Sequence, residues 1–98
     1  MKPVLKKLTV VTVEPSSNIL DLKSTLETHC YVDAICSFRH LSETTCTYRI
    51  ISKDMQETSQ VLHTNESITV PKDAAEISVV GRAATLLVEY ILGDYCDD

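Results

Sequence analysis

The stretch that decides the predicted fold is residues 73–93, DAAEISVVGRAATLLVEYILG. On a helix of about 100° per residue, most of its polar side chains fall on one narrow stripe, formed by Ser78, Arg82, Thr85 and Glu89. The remaining arc, about 260° by helical geometry, is apolar except for Glu76. A surface helix needs an apolar face only somewhat wider than about 100°. The helix predicted here must therefore be covered on several sides, by its own domain or by another chain.

Two end signals support this helix. Asp73 and Glu76 have the spacing of a capping pair, and Gly93 is placed for a left-handed C-cap. The predicted core-facing seam consists of Ile77, Val80, Ala84, Leu87 and Ile91. The flanking side chains predicted to meet a protein partner are Val79, Ala83, Leu86, Val88 and Tyr90.

The first half of the chain predicts a strand followed by a helix. Residues 5–14 alternate in a β-rich run that stops at Pro15. Asn18 and Asp21 resemble a capping box, with Asp in place of the usual Glu. Apolar residues then continue at helical spacing from Ile19 to about His29.

The middle of the chain predicts further strands. Residues 31–40 fit both a strand and a helical face, and their β-branched and aromatic content favours the strand. Residues 45–52 alternate most clearly. Residues 60–70 predict one strand, or two short ones hinged at Thr64–Asn65–Glu66. The predicted order is β-α-β-β-β-α, which indicates an α+β two-layer sandwich in a single domain of residues 1–98, with two helices on one face of an antiparallel sheet.

Composition and charge exclude several classes of function. The chain has 98 residues, a formal net charge of −5 and only two glycines. Phosphate loops and dinucleotide folds need more glycine, and nucleic-acid binding usually needs a basic stripe. No apolar run is long enough to cross a membrane, and no export signal is recognisable. We therefore predict a protein of the cytoplasm, or of the nucleus in a eukaryote, without catalytic activity, cofactor, nucleic-acid partner or membrane attachment.

A metal site is the main chemical alternative. Four potential zinc ligands lie close in sequence: Cys30, Cys36, His40 and Cys46. They lack the Cys-x-x-Cys spacing typical of zinc sites. On a strand, Cys36 and His40 would lie about 13 Å apart, whereas on a helix they would be neighbours. We therefore favour small buried thiols over a zinc-stabilised domain.

The excess apolar surface of the predicted helix indicates association. We predict a small non-catalytic protein–protein interaction domain: a homodimer, a subunit of a larger assembly or a protein inhibitor. It would associate through the C-terminal helix, with an exposed strand edge, such as Thr45–Ser52, as a second route. A pocket for a small molecule between sheet and helices is the remaining alternative.

Overall fold

The protein forms two antiparallel β-sheets. The computed structural model describes residues 5–22, 26 and 32–92. A 3₁₀ helix at Ile19–Leu22 lies between the first two strands. The strands are β1 Leu5–Val13, β2 Val32–His40, β3 Cys46–Ser52, β4 Glu57–Leu62, β5 Ser67–Thr69, β6 Ala74–Val80 and β7 Ala84–Leu92.

The seven strands divide between a larger and a smaller sheet. The larger has the order β1-β7-β2-β5 and the smaller the order β4-β3-β6. Phe38 of the larger sheet and Tyr48 of the smaller have ring centroids 5.3 Å apart. The two sheets therefore face each other as a β-sandwich.

Three strand pairings are nested in the sequence. β3 pairs with β4, β2 with β5 around them, and β1 with β7 outside both. This nesting follows when a long antiparallel hairpin is rolled into two sheets, the connectivity of eight-stranded jelly rolls. The chain around Ser16 and Asn18 runs alongside β6, in the position where an eighth strand would lie. A shared connectivity carries no function by itself.

The core lies between the sheets. Its fully buried side chains come from both sheets and include Phe38, Tyr48, Ile77, Leu86 and Val88. Ile19 of the 3₁₀ helix is also fully buried, so the segment after β1 closes one side of the core.

The predicted α+β sandwich with two helices is wrong, and the main error is at residues 73–93. In place of the C-terminal helix the structure has β6, a short turn and β7, and the two strands belong to different sheets. β7 alternates buried and half-buried residues along its whole length. The apolar arc of about 260° arose because the helical projection merged two sheet faces that are both rich in apolar residues.

The residues that signalled the ends of that helix, and the glycine in its middle, have other roles in the structure. Gly81 has φ +89° in the turn between β6 and β7, a backbone conformation that favours glycine. Glu76 lies 3.9 Å from the guanidinium of Arg49 on β3. The carbonyl of Asp73 accepts a hydrogen bond from the backbone N–H of Lys53. Gly93 lies outside the described residues.

The strand period also changes which side chains face the core. Ile77 and Ala84 of the predicted seam are buried, as expected. Val80 is exposed instead, and Leu87 and Ile91 lie half-buried on the outer face of β7. Successive residues of a strand point to opposite faces, so a helical assignment distributes them wrongly.

The preference for a strand at residues 31–40 is confirmed, and β-bulges explain its ambiguity. The pairing of β2 with β7 shifts register between Val32 and Ala34 and again between Ile35 and Ser37. Each bulge inserts one extra residue. Val32, Ile35 and Phe38 are therefore all buried at a spacing of three, which imitates one face of a helix.

The other strand predictions are largely confirmed. β1 and β3 match the predicted strands at residues 5–14 and 45–52. The alternative of two short strands within 60–70 is confirmed, because β4 and β5 are separated by a turn with Asn65 at φ 73°. β4 begins earlier than predicted, at Glu57.

The predicted helix from Ile19 to His29 is described only in part. Its start is the 3₁₀ helix, and Leu26 is helical and packs against the core; residues 23–25 and 27–29 lie outside the described ranges. In the part of the chain that the structure describes, no helix has the length and apolar character needed to cross a lipid bilayer.

Candidate association surface

The edges of the two sheets differ in how they are protected. An edge strand presents unpaired backbone groups that can pair with another chain, and proteins usually shorten, charge or cover such strands. The edge strands are β1 and β5 in the larger sheet and β4 and β6 in the smaller one. The predicted edge at Thr45–Ser52 is wrong, because β3 lies between β4 and β6.

The edge of β6 is covered by the chain that follows β1. The side-chain Oδ1 of Asn18 accepts hydrogen bonds from the backbone N–H of Leu20 at 3.0 Å and of Ile77 at 3.1 Å. Its Nδ2 donates to the carbonyl of Ala75 at 3.2 Å. The backbone N–H of Ser16 donates to the carbonyl of Val79 at 3.0 Å. The Asn18 side chain thus caps the start of the 3₁₀ helix and also hydrogen-bonds to two backbone groups of β6.

The edges formed by β5 and β4 are protected in other ways. β5 has only three residues, and the carbonyl beside it, at Cys36, accepts a hydrogen bond from Val70. β4 has six residues, of which Glu57 to Gln60 are polar and exposed. Val61, 52% exposed, is the large apolar side chain that β4 presents to solvent.

The edge of β1 is long and apolar. β1 has nine residues and pairs with β7 in an unbroken register without a bulge. Leu8 is 64% exposed and Val10 59% exposed. From Leu8 to Val13 the strand carries no charge, no proline and no glycine. Among the strands of the described residues, only β7 pairs with β1.

The outer face beside this edge has an apolar centre. Val10 lies opposite Leu87 in the β1–β7 pairing, and Leu8 lies opposite Glu89. We call Leu8, Val10 and Leu87 the outer patch. Single exposed apolar residues are common on protein surfaces, whereas contiguous apolar patches often mark association sites.

Polar groups surround the outer patch. The hydroxyl of Ser37 donates to Oε1 of Glu89 at 3.1 Å. Arg39 lies opposite Leu87 in the β2–β7 pairing. A shallow depression of about 140 Å³ lies between Leu8, Leu87 and this polar row. An apolar centre with a polar rim is the usual composition of a protein interface.

The five residues predicted to bind a partner are not together on the surface. Val79, Leu86, Val88 and Tyr90 are at most 2% exposed and fill the core. Ala83 is exposed in the turn before β7. The available sequence signal was weak: Thr85 and Glu89 share a strand face with Leu87, and the opposite face, with Leu86, is entirely apolar.

The described residues considered for zinc are not gathered into one group of three potential ligands. Cys30 lies outside the described residues. Cys36 lies at a bulge of β2, and burial, followed by the charge of Glu89, raises the pKa of its thiol. Cys46 is buried at the start of β3. Within the described ranges, no three His, Cys, Asp or Glu residues are grouped to hold a metal ion.

His40 is part of a buried hydrogen-bonded pair. Its Nδ1 lies 2.6 Å from the hydroxyl of Tyr48, and its Nε2 lies 2.7 Å from the carbonyl oxygen of Thr44. A carbonyl only accepts, so Nε2 carries the proton and Nδ1 accepts from Tyr48 in the neutral ring. Burial raises the pKa of the Tyr48 phenol well above its usual range. Both ring nitrogens therefore have partners, Tyr48 on β3 and Thr44 in the connection between β2 and β3.

A second concave feature lies beside the 3₁₀ helix. It is a groove of about 610 Å³ between this helix, β2 and the start of β6. Its lining is mainly apolar. The charged residues that line it are Asp33, Lys53 and Lys72.

Comparisons with protein-family models, with curated proteins and with solved structures found no match for this chain.

Proposed function

We propose that this protein is a small non-catalytic association domain that binds another protein chain through β1 and the outer patch. The observation that carries the proposal is the exposure of Leu8 and Val10, 64% and 59%, on a nine-residue edge strand. Water contacts these apolar groups at a free-energy cost of about 25 cal/mol per Å². A strand from a partner would remove part of this apolar surface from water. It would also hydrogen-bond to the unpaired backbone groups at the edge of β1.

The contrast among the sheet edges supports the choice of β1. β6 is covered, β5 has three residues and β4 is polar over most of its length. β1 has none of these protective features over Leu8–Val13 in the described structure. Such a strand is a liability unless a partner covers it.

The proposal is tested by introducing charge on β1 and on a matched edge position. In the source cells, a tagged wild-type chain, its Leu8→Glu variant and its Val61→Glu variant would be cross-linked and compared. Val61 is the control because it is similarly exposed but lies on β4. We expect cross-linked species to disappear with Leu8→Glu and to persist with Val61→Glu. An unchanged pattern with Leu8→Glu, in a chain that circular dichroism shows to be folded, would contradict the proposal.

The groove supports a second candidate, a small-molecule-binding function. Its volume of about 610 Å³ lies in the range of ligand pockets. The apolar lining and the excess of two lysines over the one acidic residue, Asp33, fit an apolar anion, such as a fatty acid. We expect lauric acid to shift the NMR signals of the Ala34 and Ala74 methyl groups, and Ala34→Trp to abolish the shifts by filling the groove. Absence of shifts in the wild type would rule out this class of ligand.

A further inference from the structure

We propose that the chain covering β1 is a second copy of this protein, paired antiparallel with β1 across a twofold axis centred on Val10. The inference rests on the proposed function, because it uses the same strand and outer patch, and it names their occupant. The product would be one continuous sheet of eight strands built from the two four-stranded sheets.

The alternation of a strand restricts the possible registers. In an antiparallel pair, residues directly opposite each other point to the same face of the sheet. Lys6, Leu8, Val10, Thr12 and Glu14 all lie on the outward-facing period of β1 and its continuation. A twofold pairing of two identical strands must therefore be centred on a residue, with each outward residue opposite another outward residue.

Charge selects one centre among these. Between residues 5 and 14, the described segment carries two basic side chains near its start, Lys6 and Lys7, and one acidic side chain near its end, Glu14. Centring on Val10 places Lys6 opposite Glu14 of the second copy, and the symmetry repeats the pair. Centring on Leu8, Thr9 or Val11 places neither lysine opposite Glu14. Opposite charges across a strand pair stabilise it.

The same register joins the apolar groups. Val10 would face its own symmetry mate, and Leu8 would lie diagonal to Val10 of the second copy, within reach of a side chain of that length. The two outer patches would then form one surface across the axis. The pairing would end at Glu14, because Pro15 lies in the turn closed by the hydrogen bond from the Ser17 N–H to the Glu14 carbonyl.

The net charge of −5 on each copy does not oppose this contact strongly. Exposed charges are screened over about 8 Å at physiological ionic strength. Within the segment, Lys6 and Glu14 lie at opposite ends. In the proposed register each Lys6 meets Glu14 of the other copy, and these two close pairs are attractive.

The first test is the mass of the full chain in solution. We expect sedimentation velocity from low micromolar to millimolar concentration to show a shift from the 10.9 kDa chain to twice that mass. Val10→Glu should abolish the shift, because two introduced carboxylates would meet at the axis. Val61→Glu, the matched control on β4, should leave it unchanged. A monomer at all concentrations, or a dimer that survives Val10→Glu, would overturn the proposal.

The second test is a charge exchange that reports the register. Lys6→Glu alone and Glu14→Lys alone should each weaken the dimer on the order of tenfold, because each creates two like-charge contacts. The double variant Lys6→Glu/Glu14→Lys should restore the wild-type dissociation constant. Additive losses in the double variant would show that these side chains are not opposite each other.

The third test is cross-linking at the axis. Val10→Cys should form an intermolecular disulfide under mild oxidation by diamide, because opposite residues are close enough for the bond. Thr12→Cys should not, because the two thiols would lie about 13 Å apart along the strand. The wild type supplies the background from the native cysteines. Cross-linking of Thr12→Cys in preference to Val10→Cys would overturn the register.

Failure of this proposal is distinguishable from failure of the proposed function. A wild type that stays monomeric, while Leu8→Glu still removes a cross-linked partner in cells, overturns the second copy and leaves association through β1 standing. If the wild type stays monomeric and the cross-linking pattern in cells is the same for Leu8→Glu as for the wild type, both the second copy and the association through β1 are overturned.

Discussion

The edge strands β6 and β1 differ in whether other parts of the chain cover their unpaired backbone N–H and C=O groups. Along β6, Asn18 holds a segment of chain with three side-chain hydrogen bonds. Along β1, no strand of the described residues pairs with the outer edge, and the side chains there are apolar and exposed. The comparison shows that the chain covers the edge of β6, whereas no strand of the described residues covers the outer edge of β1. Under the proposed function, a partner would bind at the edge of β1.

The largest expected effect contrasts a side chain beneath the covered edge with one on the open edge. Ile77 of β6 is fully buried, whereas Val10 of β1 is 59% exposed. We expect Ile77→Ala to cost about 2–5 kcal/mol of stability because it leaves a cavity. Val10→Ala should change monomer stability by less than about 0.5 kcal/mol. Urea unfolding of the dilute monomer measures both, and equal losses would contradict the contrast.

The next largest effect opens the covered edge. Asn18→Ala removes the acceptor of the Leu20 and Ile77 N–H groups and the donor to Ala75. We expect a loss of about 2 kcal/mol and faster amide exchange at Ile77. Asn18→Asp keeps the acceptor oxygens and should lose less than half as much. If alanine and aspartate were equally well tolerated, Asn18 would not hold the edge of β6.

A smaller effect tests the turn that carries the chain from β6 to β7. Gly81 has φ +89°, and an added Cβ would meet no atom within 4 Å. We expect Gly81→Ala to destabilise by about 1 kcal/mol through backbone strain alone, measured by thermal unfolding. In a helix the same substitution would stabilise by about 1 kcal/mol. The sign of the change therefore distinguishes strand–turn–strand from helix at residues 73–93.

The smallest effect concerns the turn before β5, the other edge of the β1 sheet. Oε1 of Glu66 accepts from the backbone N–H of His63 at 2.8 Å, and this bond, followed by the His63 side chain, holds the pKa of Glu66 below its ordinary 4.5. A lowered carboxyl pKa contributes stability above the unfolded value that is lost as the pH falls through the folded value. We expect the His63 amide signal in NMR to titrate with a midpoint below 4.5, and Glu66→Gln to remove the transition. A midpoint at or above 4.5 would contradict this arrangement.

The strands that were predicted correctly have strong local signals. Residues 5–14 are rich in β-branched side chains and stop at Pro15, residues 45–52 alternate in polarity over most of their length, and both segments form strands. Residues 31–40 were harder because two bulges put Val32, Ile35 and Phe38 on one face at helical spacing. A bulge depends on the partner strand, so its position was not visible in this segment alone.

The C-terminal region failed for a different reason. β7 is a central strand, and its outer residues Leu87 and Ile91 are apolar although its inner face already fills the core. A strand that is apolar on both faces resembles a buried helix in projection. Gly81 within the segment and the β-branched content were the signals against a helix. The exposure of Leu8 and Val10 followed only from the pairing, because nothing local shows which strand lies at an edge.

Amide hydrogen exchange on the wild type at low and high protein concentration tests the central claim most directly. Pairing with a second copy would protect the outward-pointing backbone N–H groups of residues 6–14, while the matched edge at β4 would stay as it is. We expect protection in β1 to rise with concentration on alternate residues and exchange in β4 to remain unchanged. Protection that rises in β4, or exchange in β1 that does not depend on concentration up to the millimolar range, would contradict an account in which β1 is the open edge where two copies meet.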